Sequence, residues 1–136
     1  MLIREWNLDD VSVVDVSGAL TLEAGTAVRD TICAAFARGR RKLVLDLTRV
    51  TALDAAGLGE LARVHRMSAL FGGDVKLVHR SLVVSELLKR TRLAWLFETF
   101  ESEAAALVSF DRDWRRPDPA AGLDPVSGRP ASTAFS

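Results

Sequence analysis

Few residues of this chain could run a reaction. Two histidines, His65 and His79, and one cysteine, Cys33, are its whole stock of imidazoles and thiols. His79 stands just before Arg80-Ser81, and a histidine beside a serine is the beginning of a nucleophile–base pair. Nothing nearby orients the histidine, so the pair claims no catalysis on its own. His65 falls beside Leu58, Leu61 and Ala62 at helical spacing, as a half-buried structural histidine would. Asp46 and Asp54 are the carboxylates an acid–base mechanism would pair. Asp54 is accounted for without chemistry as a helix N-cap, worth about 1 kcal/mol. A metal would need His, Cys or carboxylates clustered at ligand spacing, and there is no such cluster. Gly57-Leu-Gly59 lacks the third glycine of a dinucleotide fingerprint, and no Gly-Lys-Ser/Thr phosphate loop occurs. The expectation is a non-enzyme with no catalytic residues, no cofactor and no metal.

What the sequence does offer is a place to be touched. Thr51-Ala-Leu-Asp-Ala-Ala-Gly-Leu-Gly-Glu60 reads as a loop and the first turn of a helix, built from small residues. The helix that follows, 55–70, has Gly59, Arg63 and Arg66 on its polar side. Its apolar arc is wider than one sheet contact needs. The surplus, Val64 and Met67 in particular, would face either a partner or a neighbouring helix.

The elements that position these residues follow from two periodicities. Residues 11–16 alternate as a strand, with Leu2–Trp6 as the strand expected to pair with it. Ser17-Gly18 breaks the run. Thr21 or Glu23 opens a helix over 24–38, whose face is Val28, Ile32, Ala35 and Phe36 and whose stop is Gly39. Residues 42–47 are a near-continuous apolar run, the mark of a strand near the sheet centre. Asp54 caps the 55–70 helix, and Gly72-Gly73 ends it. Strand 75–78, a short helix over 83–90, an edge strand at Leu96-Phe97 and a helix over 103–110 capped by Ser102 complete the order. This β-β-α-β-α-β-α-β-α order predicts an α/β (α+β) domain over 1–112 with a mixed sheet of four to five strands. All four prolines lie in the last twenty residues, so 113–136 is expected to be a disordered tail, with Trp114 and Phe135 as its docking candidates.

Bulk properties narrow the partners. Lys plus Arg equals Asp plus Glu, at 18 each, which gives no global case for nucleic acid or an anionic membrane. The densest basic stretch, 38–42, falls at a helix end, where cations are favoured. Cys33 sits among Ile32, Ala34 and Phe36 as a small buried residue; one cysteine permits no intrachain disulfide and fits a reducing compartment. Glu5, Asp9 and Asp10 interrupt any early signal-like run, and no stretch is long enough for a membrane span. The expectation is a cytoplasmic protein, a monomer or weak homodimer.

In order and spacing, these words resemble the STAS domain of bacterial anti-sigma factor antagonists. They are Val14-Val-Asp-Val-Ser-Gly-Ala-Leu20, Leu43-Val-Leu-Asp-Leu47, Leu53-Asp-Ala-Ala-Gly-Leu-Gly59 and Gly72-Gly-Asp-Val-Lys-Leu-Val78, then a short helix with Leu93 and Phe97. The resemblance covers about residues 1–110. It implies a small mixed sheet with helices mainly on one face. It also implies a partner: an anti-sigma factor that is itself a serine kinase of the histidine-kinase-like ATPase type. In the family the typical word is Asp-Ser-Ser-Gly-Leu-Gly, and the kinase phosphorylates the serine before the first glycine. The unmodified antagonist binds the kinase and frees the sigma factor. Carried over, the phosphoacceptor position is Ala56 and its neighbour Ala55, while Asp54, Gly57 and Gly59 match. Where many members have an acid after Gly-x-Leu, Gly18-Ala-Leu20 is followed by Thr21. The partner-binding residues so implied are Thr21, Asp54, Ala55, Ala56, Gly57, Leu58 and Gly59, with Val64 and Met67 from the helix face. Single STAS domains without the serine also resemble the small subunits that bind the ATPase of bacterial lipid-transport ABC systems, and a stressosome scaffold subunit is a third reading.

Overall fold

The apolar run at 42–47 becomes the middle of a five-stranded sheet in the computed structural model, which describes residues 1–115, with side chains through Phe110. Residues 113–115 of the predicted tail continue the last helix, and 116–136, with Phe135 and the Trp114 side chain, lie outside what is described. The chain divides at 106/107, and the sheet belongs to the first unit, 1–106. Along the chain come β1 (Leu2–Leu8), β2 (Val11–Leu20), α1 (Leu22–Ala37), β3 (Lys42–Leu53), α2 (Ala55–Phe71), β4 (Asp74–Val78), α3 (Leu82–Arg90), a 3-10 turn (Leu93–Trp95), β5 (Thr99–Phe100) and α4 (Glu103–Arg115). The spatial order is β1-β2-β3-β4-β5. The β1–β2 pair is antiparallel and the other neighbours are parallel, so the sheet is mixed, as the element order predicts.

Alternation along the strands sorts the sheet into two faces. Val14, Val16 and Leu20 of β2, Leu43, Leu45 and Leu47 of β3, and Val75 and Leu77 of β4 share one core with α1, α2 and α3. Ile32, Val28 and Phe36 of α1, Leu58, Leu61 and Val64 of α2, and Val84 and Leu88 of α3 close over them. The predicted face of the first helix is therefore the buried one. The other face carries Val13, Asp15, Val44, Asp46, Lys76 and Val78, and all are buried. Lys76 there is wholly inaccessible; its ammonium pairs with Glu98 at 3.0 Å and lies 5.6 Å from the Phe100 ring centre.

Three boundaries differ from expectation, each for a local reason. The run at 11–16 does not stop at Ser17-Gly18. Gly18, at φ +103°, takes up a register shift against β3, so β2 goes on to Leu20. Its partner β3 likewise runs on through Arg49, Val50 and Ala52 to Leu53. Pairing with β4 ends at Asp46, so the second half of β3 pairs with β2 alone. The expected strand at Leu96-Phe97 is not one. Leu93 and Phe97, four residues apart, are both anchored in the core, which holds that segment as a turn and leaves β5 to Thr99–Phe100. The basic stretch at 38–42 is spent within the fold: Arg38 bonds Glu5, Arg40 bonds the Ser12 hydroxyl, Arg41 bonds the Phe36 carbonyl and Lys42 bonds Asp10.

The wide apolar arc of α2 is used by the core. Val64 has no exposed surface, and Met67 is half-buried against the same cluster. Val64 is thus corrected from a partner contact to a packing residue; neighbouring elements, α1 and the 3-10 turn among them, take up the surplus. Val64→Ala is expected to lower stability by about 1–3 kcal/mol in urea unfolding. A loss below about 0.5 kcal/mol, the range of surface substitutions, would return Val64 to the surface.

Candidate functional site

The extension of β2 and β3 beyond β4 carries the 20–21 and 53–54 junctions out together. Each junction starts a helix. Asp54, in extended backbone, accepts a 2.8 Å bond from the Gly57 amide, which is the predicted N-cap. Thr21 occupies the equivalent place before α1, and its hydroxyl makes no capping bond. The two junctions meet because Gly57 has no side chain: a Cβ there would overlap the Leu20 carbonyl. Nothing lies within 4 Å of where a Cβ on Gly59 would point. The two glycines do different work, one allowing internal contact and the other leaving open surface.

Of the nine residues expected at a partner surface, Thr21, Asp54, Ala55 and Gly59 are exposed and Ala56 is half-exposed. Gly57 and Leu58 are buried beneath them, and Val64 and Met67 belong to the packing described above. A shallow cleft of about 360 Å³, bounded by Met1, Ala19, Thr21, Glu23 and Ala24, opens beside this corner. The charge behind it is internal. Glu60, the only acid of α2, is buried where Gly25 lets α1 come close. Its Oε1 faces the Arg29 Nη1 at 3.3 Å without hydrogen-bond geometry, and Arg63 stands 3.8 Å from its other oxygen. The outer side of α2 therefore presents Gly59, Arg63 and Arg66 with no exposed carboxylate.

The candidates for chemistry are not brought together. Asp46 lies on the sheet face opposite α2 in the β4-paired half of β3, while Asp54 caps α2 past the strand's far end, so no acid–base pair forms. Ser81 accepts bonds from the Val83 and Val84 amides as the cap of α3. His79 is half-buried, and its desolvation pulls the imidazole pKa below 6.5 against the opposing charge of Glu101. Its Nδ1 has no partner among the described residues. His65 is half-buried with its ring edge-on to Phe97 at 5.5 Å, as a structural histidine would be. Among the described residues no group of His, Cys, Asp and Glu could hold a metal, and no helix is long and apolar enough to cross a membrane.

One polar cluster went unread in the sequence. Register places Arg4, Asp15, Asp46 and Val78 side by side across β1 to β4. Asp15 Oδ2 accepts from Arg4 at 2.7 Å and from Arg49 at 2.9 Å. Asp46 Oδ1 accepts from the Thr48 amide at 2.9 Å and its hydroxyl at 2.7 Å. Glu103, the first residue of α4, faces the same cleft, and the nearby Asp46 carboxyl, then burial, raises its pKa to about 7. These groups, with Trp6, Arg80 and Glu101, line a cleft of about 460 Å³. The signal was there: an aspartate inside each of two apolar strand runs, Val14-Val-Asp-Val and Val44-Leu-Asp-Leu. A buried carboxylate needs partners, and these strands had to find them.

The comparisons agree with this fold. A family model for the STAS domain matches residues 7–106. An anti-sigma factor antagonist from Mycobacterium paratuberculosis is 28% identical, with a TM-score of 0.71 over 79% of this chain and 92% of its own. SpoIIAA of Bacillus, a cell fate determinant solved in its phosphorylated form, is 18% identical, with a TM-score of 0.62 over 82% of this chain and 99% of its own. RsbS of Moorella thermoacetica, in a form with serine replaced by glutamate, is 17% identical, with a TM-score of 0.74 over 84% of this chain and 98% of its own. The last two show likeness of fold alone. A search of the curated proteins finds no match.

The two glycines of the corner make opposite predictions. Gly57→Ala is expected to cost about 1–3 kcal/mol, because the clash is with backbone and cannot be relieved by a rotamer. Gly59→Ala is expected to add about 0.5–1 kcal/mol through helix propensity at an open site. Urea unfolding of both variants checks this, and equal effects would contradict the contact at Leu20.

Proposed function

The chain belongs to the STAS domain family, and from that premise we propose that it is a non-enzymatic anti-sigma factor antagonist whose off-switch is missing. It binds an anti-sigma factor, a serine kinase with a histidine-kinase-like ATPase domain, through Thr21 and the exposed residues of Asp54–Gly59, and so frees a sigma factor in the cytoplasm. The observation that carries this is the corner itself: small, exposed, at a helix N-terminus, with alanine at 56 where the family places its phosphoacceptor.

The physics of the switch supports it. A phosphate on residue 56 would add nearly two negative charges in the first turn of α2, where free amides and the helix dipole stabilise an anion. The partner would then meet a charged surface in place of a small apolar one. SpoIIAA exists in both phosphorylated and unphosphorylated forms. Here Ala55 and Ala56 have no oxygen to accept the phosphoryl group, so the corner keeps one charge state. An exposed hydroxyl at the same corner is that of Thr21, which is free of a capping bond.

Incubation with the cognate anti-sigma kinase and ATP is expected to leave residues 48–58 and Thr21 unmodified by mass spectrometry. The complex should survive the addition of ATP. Ala56→Ser should take up phosphate and lose the partner, a restored switch. Phosphate on Thr21, Thr48 or Thr51 of the unaltered chain would overturn the unswitchable reading. Capture of an ABC ATPase, with no affinity for a sigma-regulating kinase, would replace the partner. Elution from gel filtration as a megadalton particle would point to a stressosome scaffold.

A further inference from the structure

The sheet ends in two edges, and the fold treats them differently. β5 is two residues long, too short to offer a neighbour a ladder. β1 is seven residues long and is the outermost strand on the other side. Its register against β2 is unbroken from Leu2 to Leu8, with none of the shifts that interrupt the β2–β3 pair. It holds no proline and no lysine, two residues that blunt an edge. Both of its charges are spent on its own fold: Arg4 bonds Asp15, and Glu5 pairs with Arg38. Among the described residues no strand pairs with its outer side. The leucines at its two ends are left in water, Leu2 at 56% and Leu8 at 44% of their surface.

The strand is also complementary to itself. We propose that this edge is a dimer interface, occupied by β1 of a second copy of this chain running antiparallel and centred on Glu5. A two-fold axis at Glu5 sets Leu2 opposite the partner's Leu8 and Arg4 opposite the partner's Trp6, each pair occurring twice. Residues directly opposite have Cβ atoms about 4.5–5.5 Å apart, close enough for the leucines to cover each other. The Arg4 guanidinium already lies 5.9 Å from the ring centre of its own Trp6, and the partner's Trp6 gives it a second indole. Alternation puts these four residues on one face and Ile3, Glu5 and Asn7 on the other. Ile3 stays packed on the core and Asn7 stays bonded to the Ser12 hydroxyl, so neither gives up a contact. Two Glu5 carboxylates meet at the axis, where like charges oppose pairing, but each brings its Arg38. The alternation of outward amides allows the register to slip only in steps of two. One step either way sets Arg4 against the partner's Arg4, or Trp6 against the partner's Trp6, and strands a leucine of each strand.

The contact is a single short ladder, smaller than a standard interface, so the dimer is weak, with a Kd on the order of 10–100 μM. Leu2 pairs with Ser17, so the start of β1 points toward the corner at Leu20–Thr21. The two-fold axis reverses that direction in the second copy. The joined sheet therefore carries its two corners at opposite ends. The dimer is independent of the anti-sigma assignment.

Sedimentation equilibrium of the full chain over about 1–500 μM should show the mass rising from monomer toward dimer. Two double variants at the exposed leucines read the register. Leu2→Lys with Leu8→Lys sets like charges opposite each other and should weaken association by about tenfold or more. Leu2→Glu with Leu8→Lys sets opposite charges in the same places and should stay within about threefold of the unaltered chain. Cross-linking reads the axis, in a Cys33→Ala background. Glu5→Cys should oxidise to a disulfide dimer, because only the axial residue faces its own copy, while Asn7→Cys should stay monomeric. A monomer at the highest concentration overturns the interface. Equal dissociation constants for the two double variants, or equal cross-linking at 5 and 7, overturn it as well. The cross-link decides the matter even where a double variant folds poorly.

Discussion

The close approach of Gly57 to the Leu20 carbonyl is the contact on which the exposed corner depends. It sets the end of β2 against the first turn of α2 at backbone distance. Any side chain at 57 would push the two junctions apart. With them would go the juxtaposition of Thr21 and Asp54–Gly59 that makes one surface from two segments 33 residues apart. Asp54 reinforces the contact from within, since its cap bond is made to the amide of this same glycine. One residue thus satisfies a helix terminus and sets the shape of the corner.

Behind the corner, charge has been moved inward. Glu60 is buried between α1 and α2, against Arg29 and Arg63, in space that Gly25 leaves. Burying a paired carboxylate is a poor source of net stability. What it does here is hold two helices in one relative position and take the only acid of α2 off its surface. The opposite sheet face solves a similar problem differently. Asp15 is held by two guanidiniums, while Asp46 accepts from the Thr48 amide and hydroxyl.

Most of the architecture was legible because it rests on periodicity. The central strand, the two long helices, the Asp54 cap and the Gly72 stop were all predicted and are all present, Gly72 in the left-handed conformation that favours glycine. The errors share one cause. Ser17-Gly18 looked like a break because glycine usually is one, but a parallel neighbour turned it into a bulge. Leu96-Phe97 looked like a strand because two apolar residues say nothing about direction, and the anchoring of Leu93 decided otherwise. Val64 looked surplus because a helical wheel counts one contact face, whereas α2 meets the sheet, α1 and the 3-10 turn. The polar row could not be placed from sequence, since it exists only through register across four strands. No local pattern links Asp46 to Glu103, 57 residues later.

The chemistry of the corner limits how the protein can be controlled. A binding equilibrium shifts only when something distinguishes the two states. On the proposed function, a hydroxyl at 56 would supply that distinction by taking a phosphate, and alanine cannot. The surface then has one affinity for its partner, and occupancy follows concentration by mass action. The Asp15–Asp46 cleft lies on the other side of a packed sheet from the corner. Coupling the two would need a second arrangement of β3, which links them along its length. The buried, fully paired central part of that strand opposes one. The corner is accordingly built as a constant, and variation in its output has to come from how much of the chain and of its partner is present.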